Sequence, residues 1–473
     1  MPKEVDVIVI GAGSAGLAAV RQIASKTDNY LLIDQGPLGT TCARVGCMPS
    51  KAFVKIAKDF HGAKKLAVAK LAGNESPICN IPAVLRHVRQ LRDRFASGMV
   101  DATRKLAGER LLRGSARLLG ANRVLVNDEE IACSSIVLAV GSRPTVPSTW
   151  QPFADRILTT DTFFEQEDLP RRLAVVGLGL IGIELGQALA RLGVEVVGFG
   201  RNPRICGIRD PEVNRVALET LGREFPLYAG AEAEISARKN NFLICNGSRE
   251  VEVDAVISAL GVTPNIQNLG LDQLGIELDE RGLPPFNPHS LQVGNLPVFI
   301  AGDANGCLPI LHEALDEGLI AGKNTCAGEV KNYRRRTALK IVFSDPQIAA
   351  VGQTIDKLEA DETIIGRSDF SEQSRAIAEG RNAGLIHLYA DKATARLLGG
   401  EMVVPEAEHL AQLLALAVQQ ELTVHDMLNM PFYHPTVEEG LRTALRDAAQ
   451  QLVATHSSQE LTLCESCPER PLC

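Results

Sequence analysis

Two glycine-rich turns, each set between an apolar strand and a helix, and a change of pattern after Tyr333 predict the fold class. It is α/β, with two Rossmann-like dinucleotide-binding domains followed by an α+β domain built on an antiparallel sheet. The first turn, Gly11-Ala12-Gly13-Ser14-Ala15-Gly16, follows the apolar, β-branched run at 5–10. The second, Gly177-Leu178-Gly179-Leu180-Ile181-Gly182, follows a similar run at 173–176.

The run at 5–10 reads as a strand buried on both faces, and a helix is expected from the turn to Ile23. A second strand at 30–33 ends on Asp34. Gly11 allows the tight turn, Gly13 lets a pyrophosphate approach the backbone, and Gly16 lets helix and strand close up. The helix N-terminus faces the phosphates, and Asp34 can accept from a ribose hydroxyl.

Next comes Thr41-Cys42-Ala43-Arg44-Val45-Gly46-Cys47-Met48-Pro49-Ser50-Lys51. A modest bend brings the two sulfurs within bonding distance, and Gly46 gives the backbone room for it. No second Cys/His pair lies nearby, so zinc is disfavoured. The pair reads as a redox dithiol or as two buried cysteines of a helix.

Helical patterning runs from Lys51 to about Leu106 with a break near 73–82, followed by strands at 116–119, 123–126 and 131–140. The last leads into a turn at Gly141, and a mixed, Pro-bearing segment to Pro170 marks a domain crossing. The second dinucleotide unit continues as a helix to Leu192 and a strand at 194–199. Its tip holds Arg201 and Arg204 where an acid would bind a free 2′-hydroxyl, which suits a 2′-phosphate or is a solvated loop with incidental arginines. One strand is expected at 251–259, before Gly261, and another at 298–301, ending in Gly302-Asp303. Asp303 suits a polyol hydroxyl or a helix N-cap equally.

After Tyr333, strands are expected at 337–343, 349–351, 363–365, 384–390 and 396–404, with amphipathic helices at 405–419 and 437–452. His434 stands five residues before Glu439, as a tuned proton-transfer pair or a structural histidine capping a helix.

Composition narrows the classes. The chain has 473 residues, 45% hydrophobic and 22% charged, which fits a globular protein of about three domains. Aromatics at 4% argue against a stacking platform for single-stranded nucleic acid. A net charge of −8 without a long basic run argues against nucleic-acid or anionic-membrane partners. Eleven scattered cysteines, no membrane-length apolar run and a strand close to the first residue lead to the expectation of a cytoplasmic protein without a leader.

Together these features resemble the class I pyridine nucleotide–disulfide oxidoreductases, which include dihydrolipoamide dehydrogenase, glutathione reductase and mercuric reductase. The likeness spans about 5–452. It rests on both dinucleotide units, Cys42 and Cys47 with Pro49-Ser50-Lys51, Gly302-Asp303, Phe343-Ser344-Asp345-Pro346, and His434-Pro435-Thr436 with Glu439. The resemblance implies FAD held by Gly11, Gly13, Ser14, Gly16, Asp34, Thr41, Lys51, Gly141, Gly302 and Asp303. It implies NAD(P)H at Gly177, Gly179, Gly182, Arg201, Arg204 and Gly261, with NADP(H) favoured, and no metal site. It also implies a homodimer in which His434 serves the partner's dithiol. Cys47 would be the charge-transfer thiolate and Cys42 the interchange thiol. Lys51 would pair with Glu184 near the flavin, and Glu439 would orient His434.

The implied domains are FAD-binding (1–148 and 265–335), NAD(P)-binding (149–264) and dimerisation (336–456), with a cysteine-bearing tail at 457–473. The Cys-motif wording looks closest to dihydrolipoamide dehydrogenase and mercuric reductase, and His434-Pro435 points to a small disulfide such as lipoamide, free or on a lipoyl-carrying protein. Departures from the family pattern are Ala43-Arg44, Val140, Val262, Gln347 and Tyr433. The expected activity is a dihydrolipoamide-dehydrogenase-like dithiol/disulfide oxidoreductase. Alternatives are a reductase of a glutathione-type disulfide, a quinone or a metal ion, and a degenerate binding subunit. The tail carries Cys464, Cys467 and Cys473, read as fortuitous or as a mobile dithiol relay like that of some relatives.

Overall fold

The computed structural model describes residues 4–71, 77–238, 241–247 and 249–452, so the tail cysteines Cys464, Cys467 and Cys473 lie outside the described residues. The chain divides into two compact units, 1–170 with 256–335 and 171–255 with 336–473.

The first unit is built on a sheet of seven strands among the described residues. Strand Glu4–Ile10 lies between Tyr30–Asp34 and Glu129–Leu138, parallel to both, with Ile10 opposite Ile33 and Leu138. Val298–Ile300 adds a further parallel strand beside the end of Glu129–Leu138. Side chains alternate across a strand, so an apolar run without alternation needs two covered faces. Ile8, Ile33, Ile136 and Val298 face one core, and Val7, Val9, Leu32 and Phe299 face the other. The second core includes Leu17, Val20 and Ile23 of helix Ser14–Ile23. Helix Leu311–Thr325 packs closely on that helix, since a Cβ at Gly318 would stand 2.1 Å from the Ala15 carbonyl oxygen.

This topology positions the site. Four parallel strands end at one edge of the sheet; Asp34 is the last residue of one, and the Gly11 turn, Gly141 and Gly302-Asp303 follow the others. Ligands bind at that edge of a doubly wound sheet.

In the second unit, strand Glu195–Gly200 runs parallel between Arg172–Val176 and Leu227–Ala229, with Gly198 opposite Val175 and Leu227. A three-stranded antiparallel meander covers Glu234–Arg238, Asn241–Asn246 and Arg249–Val253. The single strand expected at 251–259 is two, because the chain breaks at Asp254. The Asp254 carboxylate accepts from the Arg172 backbone N–H at 3.0 Å and from its guanidinium at 2.6 Å.

The same unit contains a five-stranded antiparallel sheet in the order Leu339–Val342, Gln347–Gly352, Leu397–Val404, Leu385–Asp391, Thr363–Asp369. Helices Ala407–Gln419 and Glu438–Gln451 bury Leu410, Leu414, Leu441 and Leu445 in its core. The expected α+β patterning after Tyr333 matches these elements to within a few residues at each end. Among the described residues no helix is long and apolar enough to cross a membrane.

Candidate active site

The first dinucleotide turn has a distinct job for each glycine. Gly11 has φ +107°, and a Cβ there would meet the Ala139 carbonyl oxygen at 2.2 Å. A Cβ at Gly16 would stand 1.9 Å from the Gly11 carbonyl oxygen, so helix and turn touch through backbone alone. At Gly13, the N-cap of helix Ser14–Ile23, a Cβ would meet nothing within 4 Å. The start of the helix therefore has open space beside its backbone at Gly13, which fits a dinucleotide pyrophosphate.

Asp34 does more than its sequence position suggests. Its Oδ2 accepts from the Ala12 N–H at 2.8 Å, tying the turn to the second strand, and its Oδ1 lies 3.2 Å from an Arg113 guanidinium nitrogen. Burial pushes its carboxyl above the usual value, with the Ala12 N–H and Arg113 opposing. Asp303 Oδ2 accepts from the Ser142 hydroxyl at 2.7 Å, next to the Gly141 turn.

The dithiol is folded by two helices. Helix Thr41–Arg44 is capped by Thr40, whose hydroxyl accepts from the Ala43 N–H at 3.3 Å while its backbone sits at φ +59°. The chain turns at Gly46, whose N–H donates to the Thr41 carbonyl at 2.8 Å. Gly46 has a negative φ. Its missing side chain matters because a Cβ would stand 3.1 Å from the Thr41 oxygen. Cys47 then opens helix Cys47–Val68, with Lys51 one turn along.

Both cysteines are half-buried thiols. The Cys42 thiol is pushed well up, first by its hydrogen bond with Cys47 and then by burial, with Lys51 opposing. Cys47 itself stands at the N-terminus, the positive end, of a 22-residue helix.

The sequence reading missed what holds this helix. Phe53 is fully buried against Phe163 and Phe164, with ring centroids 5.4 and 6.2 Å away. Arg89 donates to the Phe164 and Gln166 carbonyls at 3.1 and 2.6 Å. The adjacent aromatics were the available signal, but no local rule pairs residues more than a hundred positions apart.

In the second unit, Gly177 has φ +109°, a Cβ at Gly182 would stand 1.9 Å from the Gly177 oxygen, and Gly179 is open. Arg201 is exposed and Arg204 half-buried, both directly after the strand that ends at Gly200. The Cys206 thiol, unnoticed in the sequence, lies 3.8 Å from the Gly179 carbonyl, and burial pushes it up.

Glu184 is 2% exposed and accepts from the Phe343 N–H at 2.9 Å. Gln187, one turn on, exchanges two hydrogen bonds with the Asp345 backbone, at 2.7 and 2.8 Å. His434 Nδ1 lies 3.0 and 3.2 Å from the two oxygens of Glu439, which also accepts from the Thr436 N–H at 3.3 Å. The His434 side chain is 70% exposed.

Cys42, Cys47, Lys51, Asp34 and Asp303 thus belong to the first unit, and Glu184, Arg201, Arg204, His434 and Glu439 to the second. Glu406, Glu408 and His409 place potential ligand atoms within 4.8 Å of one another. Both carboxylates there already have protein partners, Arg381 at 2.6 Å and Gln347 at 3.1 Å.

Residues 5–318 match the family model for pyridine nucleotide-disulphide oxidoreductases, and 339–445 match the dimerisation domain of the same family. A dihydrolipoyl dehydrogenase of Thermus scotoductus is 30% identical over 95% of this chain and 99% of its own length. A mercuric reductase of Bacillus cereus is 28% identical over 93% of this chain and 71% of its own length. Among solved structures, LpdA of Mycobacterium tuberculosis superposes with a TM-score of 0.80 at 25% identity, covering 93% of this chain and 99% of its own. The Cu(II) complex of the HOCl-induced flavoprotein disulfide reductase RclA of Escherichia coli has the same fold, with a TM-score of 0.80 at 19% identity over 93% of this chain and 99% of its own.

Proposed function

Because the chain belongs to the pyridine nucleotide-disulphide oxidoreductase family, we propose that it is a dihydrolipoamide-dehydrogenase-like enzyme acting on a small dithiol or disulfide. The observation that carries this reading is the His434–Glu439 pair, a carboxylate-oriented imidazole suited to the proton transfers of thiol–disulfide interchange. When bound, FAD supplies two-electron exchange between a pyridine nucleotide and the dithiol. The Gly11–Gly16 turn would hold its pyrophosphate, and Asp34 and Asp303 its hydroxyls, as the open space at Gly13 allows.

This chain's residues then act as follows in the direction of disulfide reduction. His434 takes the Cys42 proton, and the Cys42 sulfur attacks one sulfur of the substrate disulfide. The substrate bond breaks, its first thiolate takes the proton back from His434, and a mixed disulfide remains. The Cys47 thiolate attacks the Cys42 sulfur, the second substrate thiolate leaves to be protonated from water, and Cys42 and Cys47 are joined. Glu439 fixes the ring by accepting from Nδ1, which supports the imidazolium that forms in between. Lys51 and Glu184 pair beside the flavin in this reading, and His434 serves the dithiol of a second subunit. Arg201 and Arg204 receive a 2′-phosphate, so NADP(H) is the preferred nucleotide.

The test is an anaerobic assay of FAD-loaded protein with dihydrolipoamide, oxidised glutathione, a quinone and a thiol-binding metal ion, each against NAD(H) and NADP(H). The expected result is fastest turnover with the lipoamide couple. In His434→Gln the disulfide half-reaction slows by about 10²–10⁴ while flavin reduction by nicotinamide survives. Equal losses in both half-reactions, or quinone turnover that outruns lipoamide and ignores His434→Gln, would overturn the reading. A strong NAD(H) preference unchanged in Arg201→Ala would remove the nucleotide assignment alone.

A further inference from the structure

Helix Leu311–Thr325 carries a buried carboxylate that the proposed chemistry does not use. Glu317 is 5% exposed, and its two oxygens are divided between two tasks. Oε2 accepts from the Gly302 N–H at 2.7 Å and from the Asn305 side-chain amide at 2.7 Å. Oε1 accepts from Arg335 at 2.9 Å, and the same guanidinium donates to Glu313 and, through its other terminal nitrogen, to the Pro288 carbonyl at 3.1 Å. The carboxylate thus clamps both ends of the single turn Gly302–Asn305, and Asp303 lies between the clamped residues.

That turn needs an external clamp. It is one turn of 3-10 helix, too short to hold itself, and it begins at Gly302 with φ +70°. A Cβ at Gly302 would stand 2.9 Å from the Ala15 side chain, so the turn lies directly against helix Ser14–Ile23. The helix that carries Glu317 is docked on the same helix through Gly318 and Gly322. Glu317 therefore transmits the position of the dinucleotide-binding helix to the turn that carries Asp303. On the other side, Asp303 Oδ2 is taken by Ser142, and among the described residues its Oδ1 has no hydrogen-bond partner.

We propose that Glu317 is a positioning residue for FAD. Through the Gly302 N–H and Asn305 it sets the Asp303 carboxylate at the distance from the Gly11–Gly16 turn that an FAD polyol hydroxyl requires. This inference rests on the reading that Asp303 binds FAD. Glu317 touches no cofactor itself. Burial pushes its carboxyl above the usual value, while the three N–H donors that reach it favour the ionised form.

The experiment is a double-mutant cycle on FAD retention by the holoprotein. Holoprotein is diluted, and released FAD is followed by its fluorescence in the parent, Glu317→Gln, Asp303→Asn and the double variant. Glu317→Gln weakens FAD binding about tenfold, the effect of losing one charge-assisted hydrogen bond. It also changes the visible spectrum of the FAD that stays bound. In the Asp303→Asn background the same substitution has no further effect, because Glu317 acts through Asp303. If the two losses simply multiply, Glu317 is a structural carboxylate and the inference fails. If Asp303→Asn weakens binding and Glu317→Gln does not, the inference fails and the reading of Asp303 stands. If Asp303→Asn retains FAD fully, both fail. Should Glu317→Gln not accumulate as folded protein, Asn305→Ala removes one donor only. It is expected to give a smaller loss that Asp303→Asn again masks, and unchanged retention in Asn305→Ala would overturn the proposal.

Discussion

Cys42 and Cys47 sit in chemically unlike surroundings. Cys47 has the helix N-terminus, while the Cys42 thiol is pushed up first by its hydrogen bond with Cys47 and then by burial. Removing Cys47 therefore acts twice. In Cys47→Ser the two-electron-reduced protein loses its long-wavelength absorbance and its disulfide turnover. The Cys42 thiol also titrates at lower pH than in the parent, since the largest cause of its upward shift is gone. Alkylation rates against pH measure this, and an unchanged Cys42 profile would mean that burial alone holds the proton there. Thr40 invites a second substitution. Its φ of +59° with ψ of 150° lies near a region reserved almost wholly for glycine, while its hydroxyl caps the short helix that carries Cys42. Thr40→Ala loses the cap and keeps the strain, whereas Thr40→Gly loses the cap and sheds it. The glycine variant is expected to be the more stable by about 1–3 kcal/mol in urea unfolding. Equal midpoints would mean that the backbone conformation costs nothing.

Between elements, single carboxylates decide where strands stop. Asp254 ends the meander by binding the Arg172 backbone and guanidinium, which the apolar pattern at 251–259 conceals. The Arg172 hydrogen bond holds its carboxyl below the ordinary 3.8, against burial. A depressed carboxyl contributes stability above its unfolded value and loses it as pH falls through its folded value. Asp254→Asn should therefore melt below the parent at neutral pH, with the two curves converging by about pH 2. Parallel curves down to that pH would show that the charge contributes nothing. The parallel strands, the glycine turns and the helix ends around them were legible because each rests on local pattern. Helix Pro211–Leu221 also has a local signal, an aspartate cap followed by proline at the first helical position. Glu317 on Gly302, Glu184 on Phe343 and Phe53 against Phe163 were not legible, because each joins residues whose proximity only the fold decides.

At the scale of the whole molecule, His434 lies in the region that matches the family's dimerisation domain. The match of 339–445 to the family's dimerisation domain makes a homodimer the expected assembly. His434 sits just before helix Glu438–Gln451, 70% exposed, with its ring fixed by Glu439 from behind. A base so exposed in its own chain is suited to a dithiol in another. Mixed dimers separate the two arrangements. A subunit with Cys47→Ser keeps His434, and a subunit with His434→Gln keeps both cysteines. If the base served its own chain, each site of the mixed dimer would lack one component and activity would stay at the level of the two inactive parents. If the base serves the partner, one site pairs two lesions and the other pairs the intact dithiol with the intact histidine. Co-expressed, differently tagged subunits purified as the mixed dimer should then recover about half the parental turnover with lipoamide. Each parent variant, assayed as its own homodimer, should stay 10²-fold or more below it, roughly the loss expected for removing a general base. A mixed dimer no more active than its parents would confine His434 to its own chain.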